Sequence, residues 1–215
     1  MDREQGLDVI RRTGVIAIMR TRSSEQLLSA ADAIRRGGVC AIEVTMTTPG
    51  ALSIIERAVA RYDQDVLFGA GTVLDTESAR AAILSGAQFI VAPTLDKDLI
   101  SLCRRYSVPV MPGVYTPTEA LTAWQWGADM VKIFPSSAGG PAYIKALKAP
   151  LPQIDMVPVG GVSVDNTAEF IRAGAVAVGV GGALINQKLL DSGDLTTLTD
   201  RARRLIEEVN RGRTA

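Results

Sequence analysis

Eight short apolar runs recur along the chain: VIAIM (15–19), AIEVT (41–45), LFGAG (67–71), FIVAP (89–93), PVMPG (109–113), MVKIFP (130–135), MVPVGG (156–161) and AVAVGVG (175–181). Most are rich in Val and Ile and near-continuous in apolar character, which predicts strands covered on both faces, as in an all-parallel sheet. The longer segments between them have helical spacing and start and stop signals. Ser23 with Gln26, and Thr116 with Glu119, have the spacing of a capping box. Thr48-Pro49 and Thr116-Pro117 place a hydroxyl before a proline suited to the first helical position. Gly37-Gly38, Gly86, Gly127 and Gly174 each stand where a helix must end before the next run. A short polar helix over residues 3–12 precedes the first run, and the tail RLIEEVNRGRTA reads as a helix that frays after Asn210. Eight equal βα units without a composition break predict an α/β fold in one domain, residues 1–215. The right-handed crossover rule leaves a closed (β/α)8 TIM barrel or an open doubly wound sheet. The absence of an extra edge strand favours the barrel.

Charge narrows the function. Lys and Arg together number 23, as do Asp and Glu, and they are scattered evenly. No basic face is available to displace counterions from nucleic acid, so no nucleic-acid partner is expected. Pairs such as Arg11-Arg12, Arg35-Arg36 and Arg203-Arg204 suit helix ends. No stretch approaches the ~18 apolar residues of a membrane span, and the start MDREQGLDVIRR has no apolar leader core. A cytoplasmic protein without membrane attachment is expected. Cys40 and Cys103 have no metal-ligand spacing and read as small core residues of a reduced protein. The chain has no histidine, which excludes a histidine base, a Ser-His-Asp triad and histidine-ligated metal.

The chemistry must come from other groups at the strand ends, where a barrel of this kind carries its site. Lys132 lies inside the run MVKIFP, whereas the lysines at 97, 145, 148 and 188 fall in helices or loops. A buried, desolvated lysine has its pKa driven below about 10.4 and becomes a neutral amine able to attack a ketone. The alternative is a snorkelling or ion-paired lysine. Glu43 is the only charge in AIEVT; it can pair with a lysine or act as a general acid–base group, and the residues alone leave both open. Gly160-Gly161 and Gly181-Gly182 end the seventh and eighth runs, where TIM barrels commonly hold a phosphate through backbone N–H groups.

These residues carry a resemblance to the aldolases that cleave 2-keto-3-deoxy-6-phosphogluconate and 4-hydroxy-2-oxoglutarate. It runs from about Gly14 to Leu184 through GGVCAIEVTMTTP, GAGTV, VAPTLD, MPGVYTPTEA, VKIFPSSAGGPAYIKALKAPLP and PVGGV. The resemblance implies a class I aldolase without cofactor or metal, in which Lys132 forms an imine with pyruvate and Glu43 moves protons through a bound water. It implies that Arg20 holds the pyruvate carboxylate, that Thr72 and Pro93 line the pyruvate pocket, that Phe134 packs beside the imine and that the glycine pairs hold the distal phosphate. It implies a homotrimer and a small-molecule partner, a phosphorylated 2-keto-3-deoxy sugar acid or pyruvate.

Three positions depart from the common pattern of that family. Thr47 stands where many members have arginine, which moves the carboxylate contact to Arg20. Val159 stands where the gluconate-type motif has threonine; with KIFPSS and GPAYIKALKA it resembles relatives that cleave the galactonate epimer, while EVTMTTP resembles the gluconate type. Ala183 replaces a serine found in some members. Two other functions compete: a phosphate-binding barrel isomerase or epimerase, which leaves Lys132 without a role, and a non-catalytic oligomeric scaffold, against which Lys132, Glu43 and Arg20 all speak.

Overall fold

The computed structural model describes residues 1–214. Helix α1 (Arg3–Thr13) leads into β1 (Val15–Met19), followed by α2 (Ser24–Arg36), β2 (Ala41–Thr45), α3 (Ala51–Tyr62), β3 (Leu67–Gly71), α4 (Thr76–Leu84) and β4 (Ile90–Val91). Then come α5 (Lys97–Arg105), β5 (Val110–Met111), β6 (Gly113–Val114), α6 (Pro117–Gln125), β7 (Val131–Ile133), a 3-10 turn at Ser136–Ala138 and α7 (Gly140–Lys148). β8 (Met156–Pro158), α8 (Val164–Arg172), β9 (Val178–Val180), α9 (Gln187–Ser192) and α10 (Leu195–Arg213) complete the order.

All strand pairs are parallel, but the ladder is not the single ring of eight equal strands that the sequence led us to expect. Six strands form one curled sheet, in the order β5-β4-β3-β2-β1-β9, and β6-β7-β8 form a second. The fifth apolar run is divided because Pro112, between β5 and β6, has no N–H to give to a ladder. The later runs end early where they reach glycine pairs. On the other side the two sheets meet at a parallel bridge between Val159 and Gly179, with the Val176 N–H donating to the Met156 carbonyl at 3.1 Å.

Strand alternation divides the buried residues into two sets. Val15, Ala17, Met19, Ile42, Val44, Phe68 and Ala70 face the helices and join the larger core. Ile16, Ile18, Ala41, Leu67, Phe89, Val91, Met111, Met130, Val157 and Val159 face inward and form a separate cluster, with Leu7 and Ile10 of α1 packed onto it. The near-continuous apolar runs are thus explained by burial on both faces. The inward face also carries glycines at Gly69, Gly71, Gly113, Gly179 and Gly181.

Several local expectations need correction. Thr48 does not cap α3: the N-cap is Gly50, and the Thr48 hydroxyl turns to Thr45 Oγ1 at 3.2 Å. Ser23 caps α2, but Gln26 Oε1 accepts from the Arg22 N–H instead of closing the box. The Thr116 box with Glu119 is complete. Helix α10 does not fray after Asn210 but continues to Arg213, because Gly212 packs tightly on α8 and the Arg213 guanidinium donates to the carbonyls of Arg11 and Arg12; Ala215 lies outside the described residues. Cys103 is buried, whereas Cys40 is only half-buried. No helix among the described residues is long and apolar enough to cross a membrane.

Candidate active site

Alternation along the strands puts Lys132 and Glu43 on the inward face. Glu43 is the middle residue of β2, flanked on that face by Ala41, and Lys132 follows Met130 and precedes Phe134. Both are almost fully buried, at 2% and 5% exposure. The strands hold them firmly: Glu43 is in register with Ile18 and Gly69, and Lys132 with Gly113 and Val157. Gly113, beside Lys132 in the ladder, has no room for a side chain, since a Cβ there would overlap the backbone of Pro93.

Burial is the first cause of both electrostatic shifts. It pushes the Lys132 amine below its ordinary value; Glu43 opposes that shift and the Arg20 guanidinium adds to it. It pushes the Glu43 carboxyl above its ordinary value, with Lys132 and Arg20 pulling the other way. A neutral amine is a nucleophile, and a carboxyl can give a proton when protonated and take one when ionised. Glu43 Oε1 is buried without a hydrogen-bond partner. Such an atom costs about 1–3 kcal/mol unless something polar meets it, so the site holds a buried carboxyl with an acceptor position that no described residue uses.

Beyond these two groups a cleft of about 380 Å³ opens between the strand ends. Its wall includes Arg20, Phe134, Val159, Gly160, Gly161, Gly181 and Gly182. Phe134 is 41% exposed, and its ring centroid lies 5.1 Å from Lys132 Nζ. Arg20, just past β1, is the only cation of the wall and is felt by both Lys132 and Glu43. Gly160 and Gly161 have φ of +90° and +78°, a conformation that would strain any other residue. Lys132 and Glu43 are themselves not part of this wall, and neither are Thr47, Thr72 and Pro93. Thr47 is exposed in the turn after β2, its hydroxyl 3.0 Å from Thr45 Oγ1. Thr72 follows β3 and Pro93 follows β4; both are half-buried. Thr72 has φ +58°, unusual for a β-branched residue and of the kind that clusters at functional sites.

Sequence reasoning missed several contributors. Ser136 is buried, donates from Oγ to the Ile133 carbonyl at 2.7 Å and accepts the Val159 N–H at 3.0 Å, tying the end of β7 to the end of β8. Ser163 and Val162 also line the cleft. The serines in KIFPSS and GGVS were visible, but nothing in their spacing tells a clamp from a loop residue.

The family model described as "Aldolase: KDPG and KHG aldolase" matches residues 7–200. The 2-dehydro-3-deoxy-6-phosphogalactonate aldolase of Escherichia coli (strain K12) is 42% identical over 171 residues, 79% of this chain and 83% of that one. The 2-dehydro-3-deoxy-phosphogluconate aldolase of Treponema pallidum (strain Nichols) is 32% identical over 203 residues, 94% of this chain and 96% of that one. The crystal structure of KDPG aldolase from Legionella pneumophila, with pyruvate captured at low pH as a covalent carbinolamine intermediate, superposes with TM-score 0.86 at 27% identity, covering 94% of this chain and 97% of that one.

Proposed function

The chain belongs to the KDPG and KHG aldolase family, and on that premise we propose that it cleaves 2-dehydro-3-deoxy-6-phosphogluconate to pyruvate and glyceraldehyde 3-phosphate. 4-Hydroxy-2-oxoglutarate, cleaved to pyruvate and glyoxylate, is a second substrate of the same chemistry. The observation that carries this reading is the buried pair itself: Lys132, whose amine burial pushes below its ordinary value, and Glu43, whose carboxyl on the same inward face has an unpartnered oxygen.

The substrate ketone condenses with Lys132 Nζ and loses water to give an iminium, which is an electron sink. Glu43 takes the C4 hydroxyl proton, the C3–C4 bond breaks, and its electron pair passes into the iminium to give an enamine while the aldehyde leaves. Protonation of the enamine carbon and hydrolysis then release pyruvate and return the free amine. Arg20 binds the carboxylate through paired, charge-assisted hydrogen bonds. Phe134 packs beside the imine, and Thr47, Thr72 and Pro93 complete the pyruvate side. Gly160, Gly161, Gly181 and Gly182 offer backbone N–H groups to the distal phosphate, and Ala183 leaves that site without one hydroxyl. On this reading the two curled sheets are halves of one closed eight-stranded barrel, and the protein is a cytoplasmic homotrimer.

The epimeric 2-dehydro-3-deoxy-6-phosphogalactonate is the second reading, favoured by Val159 in the cleft wall and by the identity to the Escherichia coli galactonate-type relative. Pyruvate release from each epimer by the purified protein tests both. Turnover of either that is lost in Lys132→Ala supports the aldolase reading, and the ratio of kcat/KM between epimers assigns the substrate. No pyruvate from either compound, or activity that survives Lys132→Ala, would contradict it.

A further inference from the structure

Glu43 has no hydrogen bond to hold its Oε1 in place, yet a proton-transfer group must stand within a few tenths of an ångström of its working position. Its seat is therefore made by shape, and β3 supplies the deciding element. The Glu43 backbone is in register with Gly69, whereas its carboxyl lies over Gly71, two residues nearer the C-terminal end of that strand. A Cβ on Gly71 would overlap Glu43 Oε1, Cδ and Cγ outright. The backbone gives no reason for glycine there: Gly71 is the last residue of a regular strand and is not among the residues of positive φ. Its carbonyl accepts the Met46 N–H at 2.7 Å, so β3 cannot easily recede. Gly69, on the same face, has a different tenant, since a Cβ there would meet the ring of Phe89 at 2.5 Å.

We propose that Gly71 is a positioning residue for the reaction: its missing side chain is the space in which the Glu43 carboxyl sits. The proposal rests on the acid–base reading of Glu43. It also explains how the carboxyl keeps its oxygen free for water or substrate, since a seat defined by shape consumes no lone pair.

The test compares Gly71→Ala, Gly69→Ala and Glu43→Gln with wild type by steady-state cleavage kinetics, and adds thermal melts of Glu43→Ala and of Gly71→Ala/Glu43→Ala. Gly71→Ala is expected to lower kcat about 10²-fold or more, the share a general acid–base group contributes, to move the acidic limb of the pH–kcat profile and to change KM only a few-fold. Gly69→Ala should lower Tm while leaving kcat within a few-fold of wild type. Gly71→Ala should lower Tm in the native background but not in the Glu43→Ala background, where the new methyl occupies the vacated space; this comparison holds even if Gly71→Ala alone folds poorly. An equal Tm loss in both backgrounds, a native pH profile in Gly71→Ala, or equal kcat losses in Gly69→Ala and Gly71→Ala would overturn the proposal. Glu43→Gln with native turnover would overturn the acid–base reading itself, and the proposal with it.

Discussion

At the scale of single residues, two ionisable side chains are buried on the inward face of the strands, away from water, and burial shifts each toward its neutral form. The consequence for stability has a definite sign. Because the folded pKa of Glu43 is raised, its contribution is fully present below the unfolded value and is lost as pH rises through the folded value. Lys132 behaves in the opposite sense: its folded value is depressed, so its contribution is present above the unfolded value and lost as pH falls through the folded one. Thermal melts of Glu43→Gln across pH should therefore give a Tm above wild type at alkaline pH, with the gap closing toward acid. A gap independent of pH would show that Glu43 is not ionised against a desolvation cost. Both groups were legible in the sequence because a charge inside an apolar run cannot be explained by packing. The seats that hold them were not. A glycine in LFGAG or PVMPG does not reveal which neighbour fills the space, and the φ of Thr72 leaves no trace in composition.

At the scale of elements, the sequence signals succeeded where the chemistry is local and failed where a distant partner decides. Gly38, Gly86, Gly127 and Gly174, which follow α2, α4, α6 and α8, all have positive φ, as glycine after a helix end predicts. The tail was expected to fray after Asn210, but Gly212 lies inside α10, where the helix packs on α8. A Cβ at that position would meet Ile171 Cβ at 2.7 Å and the Ala168 carbonyl oxygen at 2.8 Å. Helix propensity alone favours alanine over glycine by about 1 kcal/mol, and overpacking costs about 1–3 kcal/mol. Neither neighbouring atom is the free end of a flexible side chain, so the clash should win. Gly212→Ala is expected to lower Tm by several degrees in calorimetry, and a rise in Tm would show that the crossing yields. Thr48 failed as a cap for a related reason, since its hydroxyl is taken by Thr45, a partner from the preceding strand.

At the scale of the whole molecule, the inward face is filled at one end and hollow at the other. Leu67, Phe89, Met111 and Met130 fill one end of the inward face with Leu7 and Ile10 of α1 packed onto them, while at the other end Gly71 leaves the space that the Glu43 carboxyl takes. The eight apolar runs gave the parallel α/β architecture, but not the division of the ladder at Pro112 or the role of α1 as a floor. Leu7→Ala should cost about 2–5 kcal/mol, visible as a Tm loss of about 2–4 °C per kcal/mol; an unchanged Tm would show that α1 merely lies on the surface. The central claim joins the floor, the glycines and the two charges into one site for imine chemistry on pyruvate. Borohydride reduction in the presence of pyruvate, followed by intact-mass and peptide mapping of wild type and Lys132→Ala, tests it most directly. A single stable pyruvyl adduct on Lys132, absent from the folded variant, is the predicted result; a folded wild-type protein that forms no adduct, or forms it on another lysine, would contradict the account.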